Sequence, residues 1–308
     1  MHDQAEKLRL AVRSMKDQIE QDVFAGMKHT RVIAVTSGKG GVGKTNIALN
    51  LSLALAANGV RVILMDADMG LANIDIIIGV VPKYNLYHVI RGEKTVKEIM
   101  LIGPHNLSII PGGSGIRELA NLPQETLKRV INDLGRFDGE YDLMIIDTGA
   151  GISQSVLSFL TAADDVIVIT TPEPTSLTDA YGIIKAMSAQ RARGTIYIVI
   201  NRVEMEAEGV LVAHKLTRVA ENFLGVEVEP MGYLVEDEVV EKAVKEQQPF
   251  IINYPNSAVS KNIRTIAEQI HTGVLANQTV TKPSGLKTFF SQPYQFFSLV
   301  EGEEPGGG

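Results

Sequence analysis

The stretch SGKGGVGKTN, residues 37–46, contains two lysines. Gly38, Lys39, Gly40, Gly41, Val42, Gly43, Lys44 and Thr45 satisfy the phosphate-loop pattern G-x-x-x-x-G-K-[ST] in full. Glycines at these positions let the backbone turn so that successive N–H groups face phosphate oxygens. A helix starting near Lys44 adds its positive end to the same point. The pattern predicts that Lys44 reaches the β and γ phosphates, with Asn46 in the same turn, and that the Thr45 hydroxyl binds Mg²⁺. It needs only one lysine, so Lys39 calls for a second explanation.

Acidic residues fall at two other strand-like ends. Asp147 closes the run LMIID, the position of a carboxylate that holds Mg²⁺ directly or through water. Asp66 and Asp68 close VILMDAD. Two residues apart on a strand, they point the same way. One can serve Mg²⁺ through water while the other orients or deprotonates an attacking water. We assign the water to Asp68, and place Asp66 and Asp147 around the metal. The competing reading makes the first pair turn caps.

The elements that carry these residues follow from the apolar pattern. RVIAVTS (31–37), RVILMDAD (61–68), LSIIPGG (107–113), DLMIIDTG (142–149), DVIVITTP (165–172) and TIYIVINR (195–202) are Ile- and Val-rich and apolar on both faces. Such runs suit buried parallel strands. Between them lie helix-length segments at 44–58, 123–136, 153–163, 177–190 and 209–224. This order predicts an α/β fold, a mostly parallel sheet flanked by helices on both faces. Ligands of such sheets sit beyond the C-terminal strand ends. The phosphate loop, Asp66 to Asp68, Asp147 to Gly149, and Asn201 with Arg202 all fall there. Residues 3–24 read as a polar amphipathic helix with Leu8, Val12, Met15 and Ile19 on one stripe. From about 276 onward, Thr, Pro, Gly and aromatics mix, and the final GEEPGGG reads as disordered.

Composition narrows the function classes. The 308 residues are 45% hydrophobic and carry a net charge of −7, which argues against coating nucleic acid by bulk charge. With no cysteine there is no disulfide framework and no iron–sulfur ligand set, and a reducing cytosol is the expected setting. The start MHDQAEKLRL lacks the long apolar core of a signal peptide, and no run of about 18 apolar residues predicts a membrane span.

A lysine directly after the first glycine of the loop resembles the deviant Walker A motif of the MinD/ParA ATPases. DADMGLANIDIIIG (66–79) and DTGAGIS (147–153) are similar to that family's two switch segments. The resemblance covers roughly residues 29–275. It implies ATP and ADP as ligands with Mg²⁺, a homodimer closed by ATP, and slow hydrolysis that reopens it. It also implies that Lys39 crosses the dimer interface to the partner's phosphates, which makes Lys39, Lys44 and Asp68 the catalytic set. By the same resemblance Asn201 reads adenine, with Arg202 and Asp237 beside it. The segment 232–250 would close over the base.

Within that family, DQAEKLR (3–9) and TTPEPTSLTDAYGIIK (170–185) resemble the flagellar FlhG branch, also called YlxH or FleN. This implies control of flagellar number and placement, with flagellar switch or C-ring proteins as partners. It also implies stimulation of the SRP-type GTPase FlhF through Asp3, Gln4, Ala5, Leu8 and Arg9. The expected organisation is an N-terminal activator helix at 1–28, an ATPase domain at 29–275, and a tail at 276–308. The branch usually carries a membrane-targeting helix in the tail, which implies a cytoplasmic protein that associates reversibly with the inner face of the cell membrane. Here the apolar residues of that segment are Leu286, Phe289, Phe290, Phe296, Phe297 and Leu299. Lys287 is its one basic residue, Pro293 interrupts it, and Glu301, Glu303 and Glu304 follow, against the usual chemistry of an anionic lipid surface. A tail whose aromatics pack on the domain is the other reading. A DNA-partitioning ParA ATPase remains the functional alternative, with Arg191 and Arg193 as its basic residues.

Overall fold

The computed structural model describes residues 28–68, 74–113, 124–190, 192, 194–275 and 285–291. The DQAEKLR element with Asp3, Gln4, Ala5, Leu8 and Arg9, the arginines Arg191 and Arg193, and Phe296 and Phe297 lie outside them.

The chain alternates strands and helices from its first described residues. β1 (Arg31–Thr36) leads through the glycine-rich loop to α1 (Lys44–Ala57) and β2 (Val62–Ala67). Short helices α2 (Ile74–Ile78), α3 (Leu86–Ile90) and α4 (Val96–Ile99) precede β3 (Leu101–Ile102) and β4 (Ser108–Ile110). Then come α5 (Gln124–Gly135), β5 (Leu143–Thr148), α6 (Gln154–Ala162), β6 (Asp165–Thr170), α7 (Pro174–Ala189), β7 (Thr195–Val203), α8 (Glu206–Leu224) and β8 (Val228–Val235). α9 (Glu238–Lys245), α10 (Phe250–Asn253) and α11 (Ala258–Gln269) follow, and α12 spans 286–291.

These strands form one sheet in the order β3-β4-β2-β5-β1-β6-β7-β8. Every neighbouring pair is parallel except β3 with β4. Alternation along each strand feeds two cores. Val32 and Ala34 face the layer of α5, α6, α7 and α8, whereas Ile33 and Val35 face α1, α10 and α11. Because both faces are covered, the central strands are buried throughout, as in β5 with six of six residues.

Several elements depart from the sequence expectation, three of them with a clear physical reason. α7 begins at Pro174 rather than 177, because proline at the first helical turn needs no N–H partner. β8 has no counterpart among the expected strands. Glu229 and Pro230 break its apolar run, which an edge strand tolerates. Third, the tail does not stay apart from the domain. Leu286, Phe289 and Phe290 are buried in the α5–α8 core, with Phe289 stacked on Phe159 at 6.1 Å between ring centres. The expected boundary at 276 therefore does not separate core from tail, and these three side chains face protein rather than a membrane in this conformation. The composition explains the choice: a helix with one basic residue gains more by burying two phenyl rings than by lying at an anionic surface.

Candidate nucleotide site

The loop between β1 and α1 owes its path to two glycines. Gly41 and Gly43 adopt φ of 79° and 91°, in the left-handed region open to glycine. At Gly43 a side chain would also meet Asn201 Nδ2 at 2.5 Å. That amide donates to the Val42 carbonyl at 2.7 Å, so the end of β7 is tied to the loop. On its other side the loop rests on α7, where Gly38 lies so near the Asp179 backbone that a Cβ would collide. Gly151 N donates to the Ser37 carbonyl at 2.8 Å, joining the segment after β5 to the same loop.

Strand register brings the acids together. Asp66 on β2 is directly opposite Asp147 on β5, which lies opposite Val35 on β1. Lys44 Nζ sits 2.6 Å from Asp147 Oδ1, and both side chains are buried. Burial pushes the Asp147 carboxyl above the ordinary range, while the Lys44 charge and hydrogen bonds from Lys44 and Thr45 pull it back. Asp147 Oδ2 is buried with no hydrogen-bond partner. A carboxylate with one oxygen in that state, on a side chain that Thr45 also contacts, is the donor chemistry a divalent cation takes. Among the described residues no group of three or more acidic or histidine side chains forms a metal cage. Asp66 Oδ1 accepts the backbone N–H of Asp68 at 3.1 Å. Asp68 lines a cleft of about 360 Å³ with Gly41, Lys44, Thr45, Ile76 and Ala150.

A larger cleft of about 1220 Å³ opens beside it, lined by Asn201, Arg202, Glu204, Asp237, Phe250 and Tyr254 among others. Gly43, Asn46 and Arg202 line both spaces, so the two adjoin. Arg202 holds a φ of 57°, uncommon for a side-chain-bearing residue. Asp237 has a structural task there: it caps α9 through the Val239 N–H at 3.2 Å and receives the Val259 N–H at 3.4 Å. Both its oxygens are engaged by backbone, so it frames the cleft.

Lys39 stands apart from this buried set. Its Nζ lies 3.2 Å from Glu173 Oε2 in an exposed ion pair at the start of α7. Sequence reasoning missed Glu173, although a carboxylate between two prolines in TTPEPTS marks a rigid turn. Thr170 and Ser176 hydroxyls, 2.9 Å apart, hold that turn together. Glu204 and Tyr254 were also missed, whereas Phe250 ends the segment 232–250 expected to close over the base. The first two come from segments whose apolar and polar residues carry no motif.

A family profile described as an AAA domain matches residues 30–198. The antiactivator FleN of Pseudomonas aeruginosa is 38% identical over 267 residues, 87% of this chain and 94% of that protein. The flagellum site-determining protein YlxH of Helicobacter pylori is 33% identical, covering 95% of this chain and 98% of its own. Among solved structures, MinD of Pyrococcus horikoshii complexed with Mg-ADP superposes with a TM-score of 0.65 at 25% identity, over 80% of this chain and 99% of that one. Fold, phosphate loop and long-range identity agree: the chain belongs to the MinD/ParA-type P-loop ATPases, in the branch that contains FleN and YlxH.

Proposed function

We propose that this protein is an ATP-driven switch that hydrolyses ATP, dimerises in the ATP state and regulates flagellar number or placement. The observation that carries the nucleotide reading is the buried Lys44–Asp147 pair with its partnerless Asp147 Oδ2. Thr45 and Asp147 would hold Mg²⁺, which would supply neutralisation of the charge that develops on the transferring phosphoryl group. Lys44 exchanges Asp147 for phosphate oxygens. Asn201, already fixed to the loop, borders the base cleft. Asp68 orients the attacking water from the cleft wall. Lys39 leaves Glu173 and reaches the partner subunit's phosphates, because an exposed pair is cheap to exchange. When the γ phosphate departs, that cation loses much of its partner charge and the interface weakens.

The names of the relatives, an antiactivator and a flagellum site-determining protein, support the flagellar reading. On it, the segment with Gln4 and Arg9 stimulates an FlhF-type GTPase, and flagellar switch or C-ring proteins are the further partners. Membrane attachment would require α12 to undock, since Leu286, Phe289 and Phe290 are buried.

The test is the solution mass of Asp68→Ala with ADP and with Mg-ATP, repeated with Lys39→Ala added. A dimer formed only with ATP and lost without Lys39 supports the switch. A monomer in both nucleotides defeats it. For the partner, GTP hydrolysis by FlhF should rise with the wild-type chain and not with Gln4→Ala; equal stimulation by both removes the N-terminal assignment.

A further inference from the structure

At the opposite end of the sheet, the turn joining α5 to β5 receives both ends of the described chain. Lys28 Nζ lies 2.7 Å from Asp142 Oδ1. His29 Nδ1 lies 3.1 Å from Asp138 Oδ2, and the Thr30 N–H donates to Asp138 Oδ1 at 2.8 Å. The Thr30 hydroxyl donates to the Tyr141 carbonyl at 3.0 Å and accepts the Gly139 N–H at 3.0 Å. These contacts fix where the segment before residue 28 leaves the domain. Gly285, which opens α12, reaches the same carboxylate. Its φ is 105°, and a Cβ there would collide with Asp138 Oδ2. One turn earlier, Lys287 packs on Gly135 at the end of α5. One side chain, Asp138, thus binds His29 and Thr30 and lies against Gly285 at the start of the tail helix.

We infer that Asp138 is a clasp that couples docking of α12 to the anchoring of His29 and Thr30, so that loosening either loosens the other. The physical argument is shielding. While Gly285 lies over the carboxylate, the hydrogen bonds to His29 and Thr30 are screened from water and are stronger for it. If α12 leaves, Asp138 becomes solvated and water competes for both bonds. If Asp138 loses its acceptors, the Thr30 N–H is left unsatisfied and the wall against which α12 starts is gone. Such coupling is reciprocal in free energy. A partner that captures the N-terminal segment would then change how readily the tail is released, and the reverse. Nothing in this requires nucleotide, so it stands or falls apart from the ATPase reading.

The test is amide hydrogen exchange on the full chain without nucleotide. Phe289→Ala removes the stack on Phe159 and should free α12. Gly285→Ala strains the clasp from the tail side, and Asp138→Ala removes it. Coupling predicts that Phe289→Ala and Gly285→Ala speed exchange at Thr30 about tenfold, and that Asp138→Ala speeds exchange at Phe289 by a similar factor. The inference is overturned if α12 exchanges faster while Thr30 stays within about twofold of wild type. Should Phe289→Ala also expose the β6 amides, the molecule has opened globally, and Gly285→Ala decides alone.

Discussion

The two ends of this sheet use the same side chains to opposite ends. At the C-terminal edge, Lys44 and Asp147 form a buried pair that borders an open cleft, with one carboxylate oxygen left over. At the N-terminal edge, Arg31 Nε pairs with buried Asp165 at 2.6 Å, and Arg61 with Asp142 at 2.9 Å. Burial and pairing alone therefore do not mark a site. What separates the edges is whether the paired cation can change partners. Lys44 is a flexible ammonium at a helix start with space before it. Arg31 lies on a strand, and its neighbours Val32 and Thr30 are tied to Asp164 and Asp138.

The largest effects should come from the phosphate site and from removing one half of a buried pair. Lys44→Ala and Asp68→Ala should each lower ATP turnover by roughly 10²-fold or more, read by phosphate release. Asp68→Ala should leave ATP binding intact. Arg31→Ala should cost about 3–5 kcal/mol in urea unfolding by stranding Asp165, with nucleotide affinity unchanged in the folded fraction. If Arg31→Ala weakened ATP binding as much as Lys44→Ala does, the contrast between the edges would fail.

A medium effect concerns pH at the lower edge. Burial raises the Asp164 carboxyl to about 6. Its folded value thus lies above its unfolded one, so the folded state holds the proton more tightly. The group's contribution to stability is then fully present at low pH and is lost as pH rises from about 4 through 6. Asp164→Asn should flatten that segment of the stability profile and gain on the order of 1 kcal/mol at pH 7. Asp142 behaves oppositely. Held far below the usual carboxylate range by Arg61 first and Lys28 with it, it contributes stability at neutral pH that is lost on acidification. Chemical denaturation of the wild type and Asp164→Asn between pH 2 and 8 separates the two, because the Asp142 loss falls below about pH 4.

The smallest stability effect belongs to Lys39→Ala. Its exposed pair with Glu173 should be worth under about 1 kcal/mol in thermal unfolding. Its effect on ATP-dependent association should be far larger, and a variant that changed melting but not assembly would make Lys39 a structural residue.

Much of this could be read from the chain. The phosphate loop announced itself because its glycines, lysine and threonine are contiguous and each answers a backbone or phosphate requirement. The central strands were visible because burial on both faces demands unbroken Ile and Val. β8 was not, because an edge strand can carry Glu229 and Pro230. The tail was ambiguous because the same aromatic residues suit a lipid surface or a protein core, and the decision rests on Phe159, far away in sequence.

The amino-acid order by itself therefore determined the local chemistry: which turn binds phosphate, which strands are buried, and where carboxylates end them. Only the tertiary structure decided the pairings. Lys39 meets Glu173 across 134 residues, Asn201 meets the loop carbonyl of Val42 across 159, and Asp66 faces Asp147 through sheet order. Backbone requirements are satisfied by neighbours in sequence, so composition and spacing reveal them. Side-chain partners are chosen by how the sheet stacks its strands and which helix covers them, and no local pattern encodes that choice.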